Sequence, residues 1–196
     1  MFANRFTALI DACSLAGAVK RNVLLTLAEG EFYRLRWSKK ILDETQKAIE
    51  SILDGKGDAA SAAKALSSRT VMEEAFEDAI VDNYDAFLCV GDGLPDKNDA
   101  HVLAAALKTQ AQVIVTDNLK DFPIIILAPL NIEALSTDQF VANTIDLNTS
   151  KAVAALRTMR ERLNRPSMTA EALLTSMDAV GLSETVNSLR PHIDLL

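Results

Sequence analysis

Residues 94–107 read LPDKNDAHVLAAAL, and residues 113–123 read VIVTDNLKDFP. The first stretch predicts the start of a helix that is crowded with carboxylates. The second predicts a short buried strand, because a β-branched run bounded by polar residues is typical of a parallel strand covered on both faces. Ligands of open α/β sheets bind beyond the carboxyl ends of such strands. Asp117 and Asp121 fall at that end of the predicted strand.

Asp99 stands at the start of the apolar stripe of the predicted helix when residues are placed about 100° apart around its axis. His101 and Lys108 then point away from the stripe. A carboxylate on the inner side of a helix requires a partner. The free N–H groups and the dipole of a helix N-terminus would serve, so ordinary capping accounts for Asp96 or Asp99 taken singly. Capping does not account for the second group of acids after the following strand.

The composition fits one ordinary domain with an appendage, because 49% of the 196 residues are hydrophobic and can form a core. The net charge of −7 argues against non-specific nucleic-acid binding, although acids gathered at a metal site contribute to this total. The sequence predicts neither a membrane span nor a signal peptide. We therefore expect a cytoplasmic protein, with Cys13 and Cys89 as reduced core residues. Motifs of serine hydrolases and glycine-rich phosphate loops do not occur.

Strand and helix patterns alternate along the first 140 residues, which predicts a parallel sheet covered by helices. Strands are predicted at residues 6–10, 32–37, 113–115, 124–127 and 132–135. Helices are predicted at residues 12–28, 39–53, 59–66 and 71–79, and from residue 99 onward. Residues 87–90 fit either a strand or the end of a helix. Asp11 ends the first strand, Gly30 stops the first helix, and Ser38 is suited to cap the second.

Glu44 lies at the edge of the apolar side of the helix predicted at residues 39–53, whereas Asp43 lies on its outer side. Glu44 is therefore well placed to face a cleft. An exposed glutamate paired with Lys40 or Lys47 is the ordinary alternative.

A change to polar composition at residues 138–148 marks the predicted boundary between an α/β domain of residues 1–140 and a helical extension of residues 141–196. Helices are predicted at residues 151–163, 170–180 and 183–189, with capped starts at Thr169 and Ser183. A local basic excess lies between residues 151 and 165. It consists of Lys151, Arg157, Arg160, Arg162 and Arg165, with Glu161 as the one acid. This segment fits either a solvated helix face or a contact with RNA phosphates or an acidic partner.

The acids predicted to meet at one end of the sheet are Asp11, Glu44, Asp99, Asp117 and Asp121. Several carboxylates in one place repel one another and cannot all stay charged unaided. A hard divalent cation relieves this repulsion, and Mg²⁺ prefers the oxygen atoms of carboxylates and water. A set of acids with few histidines therefore indicates Mg²⁺, or alternatively Mn²⁺, rather than zinc. Such an ion lowers the pKa of a bound water and orients a phosphodiester for in-line attack.

The chain resembles the PIN-domain family and, within it, the VapC-type ribonuclease toxins of bacterial toxin–antitoxin pairs. The resemblance covers residues 1–140 and rests on four segments in order. These are residues 9–12 (LIDA), 36–44 (RWSKKILDE), 94–106 (LPDKNDAHVLAAA) and 113–123. The later helices are similar to the extension of longer members. The resemblance implies a three-layer α/β/α fold with a central parallel sheet, Mg²⁺-dependent cleavage of RNA, and a homodimer.

The resemblance also implies roles for individual residues. Carried over by position, the acidic quartet consists of Asp11, Glu44, Asp99 and Asp121. Asp11, Asp99 and Asp121 would hold one or two metal ions, and Glu44 would orient or deprotonate the attacking water. Asp117 is the alternative fourth acid, because some members carry that acid where this chain has Asn118. The implied supporting residues are Thr116, Asn118 and Asp96, and the implied RNA contacts are Lys97, Lys120, Arg157 and Arg160.

We therefore predict an endoribonuclease that is the toxin of a type II toxin–antitoxin pair, with RNA as its substrate and an antitoxin protein as its partner. The alternative is a PIN-like module that binds RNA or protein without cleaving. A phosphatase acting on small molecules is disfavoured, because no second acid follows Asp11 two residues on.

Overall fold

A five-stranded parallel sheet is the central element of the computed structural model, which describes residues 6–163 and 167–196. The strands are β1 (Thr7–Ile10), β2 (Arg34–Ser38), β3 (Ile80–Val81), β4 (Val113–Val115) and β5 (Glu133–Leu135). Their order across the sheet is β3-β2-β1-β4-β5, and every neighbouring pair is parallel. All residues of β1 and β4 are buried, as expected for central strands covered on both faces.

The order of strands reverses between β1 and β4. The chain runs from β1 outward to β2 and β3, and then returns to the other side of β1 to form β4 and β5. Ala8 of β1 aligns with Val113 of β4, and Ile10 aligns with Val115. The residues that follow these two strands therefore meet at a topological switch point, which is where open α/β sheets bind their ligands.

Ten α-helices accompany the sheet in the described ranges. They are α1 (Ala12–Ala16), α2 (Ala18–Glu29), α3 (Lys39–Asp54), α4 (Ser61–Ala75), α5 (Ala100–Lys108), α6 (Ile124–Leu127), α7 (Thr137–Leu147), α8 (Thr149–Arg162), α9 (Ala170–Ala179) and α10 (Ser183–Leu189). Among the residues described, no helix combines the length and the apolar character needed to cross a membrane. The predicted α/β class with a central parallel sheet and C-terminal helices is confirmed.

The chain forms two compact units. One unit contains residues 6–17 and 34–135, and therefore the whole sheet with α1 and α3–α6. The other contains residues 18–33 and 136–196, and therefore α2 with α7–α10. The boundary placed after residue 140 from the sequence stays a prediction.

The helical unit is held together by contacts between α2 and the C-terminal helices. The Tyr33 hydroxyl donates to the carbonyl of Leu24 at 2.8 Å, and the Tyr33 ring meets Phe140 edge to face, with 4.8 Å between the ring centroids. Arg162 of α8 pairs with Glu29 of α2 at 2.9 Å. The ring contact and the ion pair join residues far apart in sequence.

The starts of several helices agree with the sequence. Ser38 accepts the N–H of Ile41 at 3.2 Å, and Thr169 accepts that of Ala172 at 3.1 Å, so both caps are confirmed. The polar residues 138–148 mostly belong to α7, which begins with a capping box formed by Ser136 and Gln139. Ser183 does not cap α10. Asp138 of α7 does so instead, from outside the helix.

Three predicted helices have other limits. The helix predicted at residues 12–28 is interrupted at Gly17, which has an extended backbone with φ −77° and ψ 128°, as fits the low helix propensity of glycine. The helices predicted at residues 59–66 and 71–79 are mainly one helix, α4. Its polar middle is stabilised by Arg69, which bonds to Asp43 of α3 at 2.5 Å and to Glu73 at 3.1 Å.

The strand predicted at residues 124–127 is wrong, because these residues form helix α6 directly after Pro123. The edge position beside β4 is taken by β5 instead. Residues 87–90 are part of a 3₁₀-helix, Asp85–Gly93. The placement of Cys13 and Cys89 in the core is also wrong, since both are exposed free cysteines.

Asp138 should be a main stabiliser of α10. It accepts the backbone N–H groups of Glu184 and Thr185 and the hydroxyl of the buried Thr185, each at 2.8 Å. We expect Asp138→Ala to lower the free energy of unfolding by about 1–2 kcal/mol in urea titrations followed by circular dichroism, because a helix cap and bonds to a charged group are lost. Asp146→Ala, which removes an exposed acid of the same helix, is the matched control. Equal losses in both variants would contradict the capping role.

Candidate active site

Asp11 follows β1 and is fixed by hydrogen bonds at both carboxylate oxygens. Its Oδ1 accepts the N–H of Ala12 at 2.7 Å. Its Oδ2 accepts the hydroxyl of Thr116 at 2.8 Å and the thiol of Cys13 at 3.2 Å. Asp11 is buried, so these donors stabilise its negative charge and set its orientation.

Cys13 connects Asp11 to the segment after β4. Its sulfur accepts the backbone N–H of Asp117 at 3.3 Å and lies 3.3 Å from the Thr116 hydroxyl oxygen. Although the residue as a whole is exposed, desolvation of the thiol and the charge of Asp11 raise the pKa of Cys13 to about 11. The thiol therefore stays protonated near neutral pH and can donate to Asp11.

The turn after β4 positions a second carboxylate. The backbone N–H of Asn118 donates to the Thr116 hydroxyl oxygen at 3.1 Å, and the Asn118 side-chain amide donates to Oδ2 of Asp121. Thr116 thus orients Asp11, and Asn118 orients Asp121. The supporting roles of Thr116 and Asn118 in a metal site stay predictions.

Asp99 is not a helix cap. It precedes α5 at the end of a 3₁₀-helix, Lys97–Asp99, and its side chain makes no capping hydrogen bond. Its Oδ2 is buried without a hydrogen-bond partner among the described residues. Asp96, by contrast, caps the 3₁₀-helix by accepting the N–H of Asn98 at 2.8 Å. Ordinary capping therefore accounts for Asp96 but not for Asp99.

The carboxylates of the site act on one another electrostatically. Desolvation raises the pKa of Asp99 to about 6, and the negative charges of Asp11, Asp96 and Asp121 contribute to this increase. The charges of Asp11 and Asp121, which follow β1 and β4, therefore act on Asp99 and oppose its ionisation.

Close packing fixes the start of α5 beside these acids. A Cβ atom on Gly91 would lie 2.4 Å from the Cβ of Ala100, well inside any normal contact. Only glycine allows the segment Asp85–Gly93 to approach the residue that follows Asp99.

Glu44 pairs with a histidine that the sequence analysis placed on the outer side of α5. His101 is 3% exposed, and its Nε2 lies 3.1 Å from Oε1 of Glu44, whose side chain is 38% exposed. The prediction that His101 points away is wrong, because α5 is buried without interruption from His101 to Ala106 and has no outer side there. The alternative pairing of Glu44 with Lys40 or Lys47 is replaced by this contact.

The remaining candidates differ in their surroundings. Asp117, Lys97 and Lys120 are exposed to solvent. Asp121 influences the pKa of Asp99, which favours Asp121 over Asp117 as the fourth acid. The choice between them stays a prediction.

The basic residues of α8 belong to the helical unit and have intramolecular partners. Arg157 pairs with Glu161 at 2.9 Å and is 54% exposed. Arg160 is 20% exposed, and its Nη1 donates to the carbonyl of Met168 at 2.7 Å. Arg165 lies outside the described residues. A contact of Arg157 and Arg160 with RNA stays a prediction, and Arg160 also has a structural role.

The site near Asp99 fits a hard divalent cation. The atoms available as metal ligands are oxygens, from the carboxylates of the acids, the hydroxyl of Thr116 and the amide of Asn118. Among them, Oδ2 of Asp99 is buried and has no hydrogen-bond partner within the described ranges. Among the described residues, no group of three or more acidic, histidine or cysteine side chains is arranged to hold a metal ion. Mg²⁺ does not need one, because it keeps several waters and binds through one or two carboxylates.

The profile of the PIN domain matches residues 7–120, which are more than half of the chain. The chain belongs to the PIN-domain family. The predicted resemblance is thereby confirmed, and the region after this PIN domain, residues 137–191, matches a profile described as the VapC50 C-terminal domain.

One relative of this PIN-domain protein is a protein of Mycobacterium tuberculosis (strain ATCC 25618 / H37Rv) described as "Putative ribonuclease VapC50". The two are 42% identical over 83 residues, which make up 42% of this chain and 47% of the relative. The match thus spans about half the length of that relative. No solved structure matches the chain.

Sequence reasoning missed two residues of this PIN domain that touch its acids, His101 and Cys13. A signal for His101 was present, since it is one of two histidines in the chain and follows Asp99 by two residues. Cys13 follows Asp11 by two residues, but a cysteine there looks like an ordinary core residue.

Asp99→Asn should stabilise the metal-free protein above pH 6. The pKa of Asp99 is about 6 in the folded protein against an ordinary value of 3.8. The folded state therefore keeps a proton that the unfolded state loses between these values, and stability falls as the pH rises through this window. The full difference corresponds to roughly 3 kcal/mol, which solvent screening reduces to about 1–2 kcal/mol.

Urea unfolding of the wild type and Asp99→Asn at pH 4, 5, 6 and 7.5, with chelator present, measures this gain. It should be absent at pH 4 and complete at pH 7.5. Glu74→Gln removes an exposed acid of α4 and serves as the control. A gain that does not vary with pH would contradict the electrostatic explanation.

Proposed function

We propose that this PIN-domain protein is a Mg²⁺-dependent endoribonuclease and the toxin of a type II toxin–antitoxin pair. The observation that carries the proposal is Asp99, a partly buried carboxylate with an unpartnered oxygen beside the charges of Asp11 and Asp121. The ribonuclease description of the Mycobacterium tuberculosis relative supports the choice of RNA.

Asp11, Asp99 and Asp121 are the residues that would hold the ion, with Asp117 as the alternative to Asp121. Thr116 and Asn118 keep two of these carboxylates oriented through the bonds described above. Mg²⁺, or Mn²⁺ in its place, supplies a lowered pKa for bound water and stabilises the charge of the phosphodiester.

Glu44 is the proposed base for the attacking water. Its carboxylate is partly exposed, and one of its oxygens is held by His101. The exposed Lys97 and Lys120 flank Asp99 and Asp121 in sequence. Their positive charges would draw RNA phosphates toward an otherwise negative site.

The proposal extends to the partners. The match of residues 137–191 to the VapC50 C-terminal domain supports the assignment to a toxin, so we propose an antitoxin protein as a partner and a homodimer in the cytoplasm. Residues 141–196 would then be the extension of this toxin, where Arg157 and Arg160 are the candidates for contact with RNA or antitoxin.

Mg²⁺ and Mn²⁺ should raise the melting temperature of the protein. A ligand specific for the folded state at 100 times its dissociation constant adds about 2.7 kcal/mol of stability. We expect Asp11→Asn to abolish most of this increase and Glu74→Gln to retain it, as measured by differential scanning fluorimetry. Equal melting temperatures of the wild type in chelator, Mg²⁺ and Mn²⁺ would refute the metal site.

Asp99→Asn should fold normally but lose cleavage of RNA. Removing an electrostatic stabiliser of a transition state costs on the order of 10²-fold in rate, so we expect a loss of at least this size in Mg²⁺ with a labelled single-stranded RNA ladder. Glu74→Gln is the matched control and should cleave like the wild type. Near-normal cleavage by Asp99→Asn would overturn its assigned role.

The same assay separates the alternative function. Wild-type protein that binds the RNA in gel-shift experiments but leaves it intact in Mg²⁺ and Mn²⁺ would favour a non-catalytic PIN-like binding module.

A further inference from the structure

We infer that His101 is a positioning residue that holds the carboxylate of Glu44 for its work in the candidate site. The inference rests on the proposed function, because the purpose it assigns to Glu44 is that of the base in RNA cleavage. The contact itself is a feature of the protein alone.

The chemistry of the two groups determines the direction of a hydrogen bond between them. Nε2 of His101 lies 3.1 Å from Oε1 of Glu44, and a carboxylate can only accept, so a hydrogen bond here requires the hydrogen on Nε2. Nδ1 is buried and has no hydrogen-bond partner in the described part of the chain. Nε2 is therefore the ring nitrogen that serves Glu44.

The position of His101 links Glu44 to the other acids. His101 lies on α5 two residues after Asp99, and its ring contacts Glu44 of α3. Glu44 belongs to α3. Its 3.1 Å contact with Nε2 of His101 connects its carboxylate to the start of α5.

A purely structural role would not require histidine. The next five residues of α5, Val102 to Ala106, are apolar and fully buried, and an apolar side chain in place of His101 would avoid an unsatisfied buried Nδ1. The polar contact is retained at a position where packing alone would favour an apolar residue, which is the pattern expected at functional sites.

The tautomer can be measured without any activity. The chain has two histidines, so the full-length His192→Gln variant leaves His101 as the one imidazole in long-range ¹H–¹⁵N correlation spectra. In metal-free His192→Gln protein at pH 7.5 we expect the signals of a single Nε2–H tautomer. In the double variant with Glu44→Ala, we expect the ¹⁵N shifts to move toward the average of the two tautomers. An Nδ1–H tautomer or a spectrum unchanged by Glu44→Ala would overturn the inference.

A matched pair of variants tests the positioning role in cleavage. His101→Gln keeps a side-chain N–H donor, whereas His101→Met fills the site without one. We expect His101→Met to lower kcat by about tenfold or more and His101→Gln to remain within about threefold of the wild type, with KM for RNA nearly unchanged in both. In a Glu44→Gln background, His101→Met should change kcat by less than about twofold, since residues that act as a unit are not additive.

A structural role predicts a different result. Both His101 variants would then lose cleavage in parallel with their melting temperatures, and the loss from His101→Met would multiply that of Glu44→Gln. That outcome would refute the inference while leaving the nuclease intact. If the wild type cleaves no RNA in Mg²⁺ or Mn²⁺, the proposed function fails, and the spectra decide separately whether His101 holds Glu44.

Discussion

Repulsion between carboxylates is the constraint on which the arrangement of this protein depends. The parallel sheet places the end of β1 beside the end of β4, and the charges of Asp11 and Asp121, which follow these strands, act on Asp99. Asp11 and Asp121 are stabilised by donors from Thr116, Cys13, Ala12 and Asn118. Within the described residues, the buried oxygen of Asp99 has no such donor. The pKa of Asp99 is accordingly raised to about 6, because its charged form is destabilised. The folded protein thus carries local instability that a bound cation would relieve.

Much of the fold was predictable because its signals are local. The runs before Asp11 and Thr116 are short, apolar and β-branched, and both are buried strands in the structure. Ser38 and Thr169 act as helix caps, which require only a side chain and the next three residues. The acids at the ends of strands could also be located, since parallel strands place their carboxyl ends on one edge.

The wrong predictions concern features that tertiary structure decides and local sequence patterns do not reveal. The angular placement of His101 assumed one regular helix from Asp99 onward, but residues 97–99 form a 3₁₀-helix and the following helix is buried all around. Residues 124–127 have high strand propensity, yet Ile124 and Ile125 are 80% and 81% exposed in a helix, because β5 has the place beside β4. Tertiary pairing decided both cases, and propensity is only a weak prior against it. Glu29, the partner of Arg162 on α8, is likewise remote in sequence.

The assignment of α2 to the helical unit has a consequence for synthesis of the protein. The partners of Tyr33 and Glu29 lie more than a hundred residues further along the chain, in α7 and α8. During translation, α2 therefore leaves the ribosome long before the helices that cover its apolar face exist. Contacts of such sequence separation form slowly and leave apolar surface exposed in the meantime. The helical unit is thus completed only after residues up to Arg162 have emerged.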